Sequence, residues 1–192
     1  PAELSQDCDI IFICVDKTES VEDVIFKKNG IIKNASKQTI IIDLSTTSAN
    51  ETINFANKLN IERGSSWIDA PMSGATIAAK EAKLTFMVGC EKKLFFYISP
   101  LLGLMGTQIN RNGNYRTGMM VKVLNNFIAA SSVVSVRHVL HQAQKFELDI
   151  DALFKTIDTS SGQTWFGTNR ADIEWFKENF ENDNTCLLYT SP

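Results

Sequence analysis

Thr39-Ile40-Ile41-Ile42-Asp43-Leu44 is an apolar run of strand length that shows no alternation. A strand with one face in water alternates, whereas one covered on both faces does not. Ile10-Ile11-Phe12-Ile13-Cys14-Val15 has the same character. Between the two, Ser20 to about Lys27 reads as helix and Asn29-Gly30 as a turn. Beyond them, Ser48-Ala49-Asn50-Glu51 is a capping box opening a helix with Ile53, Phe55, Ala56 and Leu59, and Gly64 is its stop. Ser66–Asp69 is a third strand closed by Pro71, and Leu84–Val88 a fourth ended by Gly89. Glu91–Leu102 is helical with Pro100 near its end, and Gln108–Asn110 is one more short strand. Non-alternating strands separated by helices predict an α/β fold on a mostly parallel sheet covered on both faces.

The second half changes character. From Thr117 to Lys145 there is no Pro, and no Gly after Gly118, so one long helix is expected. It is apolar almost all round through its first two thirds, a pattern expected of a helix buried inside a protein. Gly118–Val136 has the length of a membrane span, but Lys122, Asn125 and Asn126 lie inside it, and no membrane is expected. Asp149–Ile157 is a shorter helix, Ser160-Ser161-Gly162 breaks it, and Thr164–Phe180 is weakly helical. The domain boundary is placed in the Gly/Asn-rich stretch Asn112–Thr117, giving an α/β domain over 1–113 and an all-α part over 114–185. Residues 186–192 fit no element and read as a non-native or disordered tail.

Composition narrows the function. The chain has 192 residues, enough for a core without staples and between one and two domains long. Hydrophobic residues make up 44% and charged residues 21%, which excludes a disordered chain. A net charge of −3 argues against a nucleic-acid partner. Cys8, Cys14, Cys90 and Cys186 are scattered, so neither a disulfide framework nor a metal site is expected. His138 and His141 read as surface residues, Trp67 as sheet packing, and Trp165 as core in preference to a pocket lining. No signal or transit pattern follows Pro1; the cytoplasm is the expected location, with the mitochondrion the alternative in a eukaryote.

Three segments carry chemistry. Asp69-Ala70-Pro71-Met72-Ser73-Gly74 follows a strand, and ligands of such sheets gather beyond the strands' carboxyl ends. Its Ser-Gly corner suits a carboxylate, and equally suits an ordinary turn. Lys122 stands in an apolar helix with Asn126 four residues on, on the same side. Burial would bring such a lysine toward neutrality and fit it for proton transfer, while a lysine near a helix end also snorkels to water. Asp43-Leu44-Ser45-Thr46 is again at a strand's carboxyl end, where it also leads into the helix cap at Ser48.

Together these segments resemble the β-hydroxyacid dehydrogenase family, over nearly the whole chain from Cys8 to about Trp165. Asp43-Leu-Ser-Thr46 is similar to the family's Asp-x-Ser-Thr segment. Asp69-Ala-Pro-Met-Ser-Gly74 is similar to its substrate-carboxylate loop, Asp-Ala-Pro-Val-Ser-Gly. Gly118-Met-Met-Val-Lys-Val-Leu-Asn-Asn126 is similar to its catalytic helix, Gly-x-x-x-Lys-x-x-Asn-Asn, and Ser160-Ser-Gly-Gln-Thr-Trp165 to its Ser-Gly-x-x-Trp stretch. Ala75 stands where the family usually has a second Gly or a small polar residue, and Val15-Asp16 where a Leu-Pro pair is common. No Gly-x-Gly-x-x-Gly occurs in these residues.

The resemblance implies the later part of a Rossmann-type, doubly wound parallel sheet followed by part of an all-α domain. It implies hydride transfer between NAD or NADP and a small-molecule 3-hydroxy acid. Lys122 is then the acid/base, Ser73 and Gly74 hold the carboxylate, Asn126 binds substrate, and Val15, Asp16 and Thr46 lie on the cofactor. A homo-oligomer is expected of a full-length parent. The missing fingerprint suggests a fragment, inactive alone, with Ile10–Val15 as an exposed apolar edge. A non-catalytic scaffold of the same fold, or an imine reductase, would lack the lysine; Lys122 argues against both.

Overall fold

The computed structural model describes residues 1–170. The tail expectation at 186–192, and the helical expectation beyond residue 170, fall outside them. The described residues divide into two compact units, Pro1–Val123 and 124–170.

The first unit is built on a six-stranded sheet. Its strands are β1 (Ile10–Ile13), β2 (Ile40–Asp43), β3 (Ser66–Asp69), β4 (Met72–Ser73), β5 (Leu84–Gly89) and β6 (Gly106–Gly113). Its helices are α1 (Leu4–Asp7), α2 (Thr18–Phe26), α3 (Ala49–Arg63), α4 (Ala75–Lys80) and α5 (Lys92–Leu102), with a short 3-10 turn at Ile31–Lys33. The pairs β1–β2, β2–β3 and β5–β6 are parallel. Neighbouring residues in a strand serve opposite layers. Ile41 and Trp67 pack on one side with Val21, Ile25, Phe55 and Leu59. Ile42 and Ile68 pack on the other with Phe86, Val88, Ile98 and Leu102. That two-sided cover is why the central runs do not alternate. β1 is one edge strand, and there Phe12 is 40% exposed.

Two strands, β5 and its parallel partner β6, run opposite to the rest. β5 runs antiparallel to β3 and β4. The pairs Asp69–Gly89, Met72–Phe86 and Ser73–Thr85 share one register, so β3 and β4 behave as a single strand interrupted at Ala70-Pro71. A parallel return would need a crossover of roughly a dozen residues or more. The link here is residues 74–83, holding only the short α4, so the chain turns back as a hairpin.

Local signals account for several boundaries. Ser48 Oγ accepts from the Glu51 N–H, and Gly64 ends α3 at φ +70°. Pro100 sits in the last turn of α5, where the Phe96 carbonyl it leaves without an amide accepts the Ser99 hydroxyl at 3.5 Å.

α6 (Thr117–Lys145) is the long helix and spans the division between the units. The second unit adds α7 (Ile150–Ile157) and α8 (Trp165–Thr168). Its core is Val136, Leu140 and Phe154, with Ile150, Leu153, Ile157 and Phe166 against them. Two expectations fail here. α6 is not buried: Phe127 is 72%, Ile128 66% and Val134 67% exposed. Among the described residues, α7 and α8 are too short to cover a helix that is apolar on every side. By length and composition alone, α6 is also apolar enough to cross a membrane. Trp165 is not core either, being 64% exposed and set edge-on to Phe166 at 5.0 Å. Phe166 takes the inward position on the four-residue α8.

Candidate active site

The parallel register lays Ile13, Asp43 and Asp69 side by side. The loops that follow β1, β2 and β3 therefore leave the sheet at one end, where the sequence placed its motifs. The buried Asp43 carboxylate turns back on its own loop. It accepts from the Ser45 N–H at 2.9 Å and from the Thr47 hydroxyl at 3.3 Å. Burial pushes its pKa up despite these bonds. Ser45 Oγ in turn accepts from the Val15 N–H at 3.0 Å, tying the first loop to the second. Val15 and Thr46 are half-buried there. Asp16 is exposed; it accepts from the Ser20 hydroxyl at 2.7 Å, which holds its pKa below the usual value.

The third loop is joined to α6 through Asp69. Its Oδ1 accepts from the Arg116 N–H at 2.9 Å and its Oδ2 from the Met119 N–H at 3.0 Å. The carboxylate is fully buried, and burial pushes its pKa up to about 6, against the pull of backbone bonds from Met119, Arg116 and Gly118. Two glycines make room for it. A Cβ on Gly89 would meet both carboxylate oxygens at 2.5 Å, and one on Gly118 would meet the Met87 carbonyl at 2.2 Å and Oδ2 at 2.8 Å. Ser73 then ends β4, half-buried. Gly74 adopts φ +130°, where a side chain is strained, and a Cβ would lie 2.5 Å from that of Ala78. Ala75 follows at φ +53°.

Lys122 lies in the second turn of α6, half-buried, and burial alone pushes its pKa down. Its helix and the Ser73–Gly74 loop thus share one anchor at Asp69. Val15 belongs to a second group of bonds, through Ser45, and Thr46 follows Ser45 in the chain. Asn126, one turn beyond Lys122 in the same helix, falls in the second unit. The sequence reading quoted Asp69 as part of a motif but missed its bonds to α6. The available signal was an Asp ending two successive apolar strands, together with a Gly opening the lysine helix.

Residues 1–124 match the model of the NAD binding domain of 6-phosphogluconate dehydrogenase. The chain belongs to the β-hydroxyacid dehydrogenase family. Residues 117–188 match a second family model, the NAD-binding domain of NADP-dependent 3-hydroxyisobutyrate dehydrogenase. Among family members, the 2-hydroxy-3-oxopropionate reductase of Escherichia coli is 38% identical over 77% of this chain and 50% of its own. Mouse mitochondrial 3-hydroxyisobutyrate dehydrogenase is 31% identical over 86% of this chain and 49% of its own. The structure of Mycobacterium tuberculosis 3-hydroxyisobutyrate dehydrogenase with L-serine is similar at a TM-score of 0.78 and 26% identity, covering 85% of this chain and 55% of that one. The chain spans about half the length of the curated relatives it matches.

Proposed function

We propose that the chain carries the proton-transfer and carboxylate-binding groups of an NAD(P)-dependent 3-hydroxy acid dehydrogenase. The observation that carries this reading is a half-buried lysine of lowered pKa whose helix start is hydrogen-bonded to Asp69, the residue that ends β3 and leads into the Ser73–Gly74 loop. Burial disfavours the charged form of a lysine and so favours the free amine that can accept a proton. The free Nζ of Lys122 takes the proton from the substrate hydroxyl, and in the reverse direction the ammonium returns it. Ser73 Oγ and the Gly74 N–H hold the substrate carboxylate, which selects an acid over a simple alcohol. Asn126 hydrogen-bonds substrate beside Lys122.

The nicotinamide end of the cofactor suits the loops after β1 and β2. Asp43 is satisfied inside its own turn, which leaves Thr46 and Val15 half-buried at the sheet's end. Val15, Asp16 and Thr46 would hold that end, where NAD or NADP supplies or takes the hydride. These residues contain no Gly-x-Gly-x-x-Gly for the pyrophosphate. The proposal extends to a homo-oligomer formed through α6, and to the cytoplasm or, in a eukaryote, the mitochondrion.

The test is steady-state kinetics with 3-hydroxy acids, following reduced nicotinamide, on this chain or a longer protein carrying it. Lys122→Ala is expected to lower kcat by roughly 10²–10⁴-fold and to leave cofactor affinity unchanged. Near-normal turnover in that variant overturns the assignment.

A further inference from the structure

We propose that Asp69 is a positioning residue for Lys122: its buried carboxylate bolts the first turn of α6 to the end of β3 and so sets where the lysine stands. The inference takes its functional meaning from the acid/base reading of Lys122, but its geometry is independent of that reading.

Three observations converge. First, the carboxylate's partners in α6 and just before it are backbone N–H groups, of Arg116 and Met119, with Gly118 contributing. The opening N–H groups of a helix have no partner within the helix, and here a side chain 47 and 50 residues away supplies one. Second, the register Asp69–Gly89–Gly113 returns the chain from β6 to the level of Asp69 just before α6 begins. Third, Gly89 and Gly118 are both places where a methyl group would strike Asp69 itself. The niche accepts a carboxylate and nothing longer.

The chemistry of the niche also separates Asp from its near-isostere. The hydrogen-bond partners of both oxygens are backbone donors, so an acceptor on each side is required. An Asn would satisfy one side with its carbonyl and turn an NH₂ toward the other donor. One amide at the helix start would then lose its partner. Met119 is anchored three residues before Lys122, on the same stretch of helix, and is fully buried. A loosened first turn admits water to Lys122, which is half-buried and owes its lowered pKa to that burial.

The experiment compares the 192-residue chain with its Asp69→Asn variant in two readouts. Backbone hydrogen exchange over 116–120 is expected to speed up by about ten- to a hundredfold, the range for losing a hydrogen bond to a charged group. Protection in β2 and β3 is expected to persist. The pH profile of Lys122 acylation, read by peptide mass, is expected to move up toward that of an ordinary lysine. An Asn variant that keeps its sheet protection but leaves the Lys122 profile unmoved overturns the proposal. If the variant does not fold, the unmutated chain decides: the Arg116 and Met119 amides should exchange as slowly as the β3 amides, and fast exchange there overturns the proposal. Neither readout involves turnover. An active Lys122→Ala protein alongside a shifted Lys122 profile would reject the acid/base reading and keep the anchor.

Discussion

At Ala75 the backbone takes φ +53°, a conformation that costs a side-chain-bearing residue about 1 kcal/mol and glycine nothing. This chain keeps the turn with an alanine in place of glycine. Ala75 is exposed, so its methyl gains little packing in return. Ala75→Gly is therefore expected to stabilise the first unit by about 0.5–1 kcal/mol, read as a higher urea midpoint with unchanged slope. A lower midpoint would show that the methyl stiffens the loop more than the backbone strains it. Asp43 and Asp69 make a second residue-scale point. They end neighbouring strands at the same level, yet the first folds back on its own loop and the second reaches another element. Neither destination was legible in the sequence. Asp69 meets Arg116 and Met119 through a register that no local window contains.

Among elements, boundaries written in local chemistry were legible. The Ser48 cap, the Gly64 stop and the whole of Thr117–Lys145 lie where capping residues and the absence of breakers put them. The two-residue β4 and the short α4 were not legible, because neither is long enough to show a period. The direction of β5 was also hidden, since a buried strand has the same composition either way. The capping groups allow a graded prediction. Asp149 Oδ1 accepts from the N–H groups of Asp151 at 2.9 Å and Ala152 at 3.1 Å. Its helix, α7, has only eight residues and supplies Phe154 to the core of the second unit. Asp149→Ala is expected to cost about 1–2 kcal/mol, the upper part of the range for such caps. The Ser48 hydroxyl accepts a single bond, of 3.4 Å, and Ser48→Ala should cost less, about 0.5 kcal/mol. Urea unfolding of both variants checks the order, and a larger loss at Ser48 would contradict it.

At the scale of the whole molecule, the apolar surface of α6 is expected to govern behaviour in solution. Leu124, Phe127, Ile128 and Val134 are all more than half exposed. Continuous apolar surface of this kind drives association. Sedimentation velocity is expected to show mass rising with concentration, and the double variant Phe127→Lys, Val134→Lys to stay smaller at equal loading. A parent and variant that sediment alike would remove α6 from any interface. The motif positions, by contrast, depend on distances along the chain that this surface does not touch.

The hairpin of β3–β4 with β5 acts as a ruler. Asp69 and Ser73 are both read off one continuous antiparallel register, across the gap at Ala70-Pro71. A slip of one residue turns every later side chain to the opposite face. Insertions are therefore not equivalent along this segment. An extra residue in the exposed turn at 81–83 only lengthens a loop. One placed between Asp69 and Ser73 breaks the spacing between the helix anchor and the carboxylate loop, though every residue named in the site would still be present.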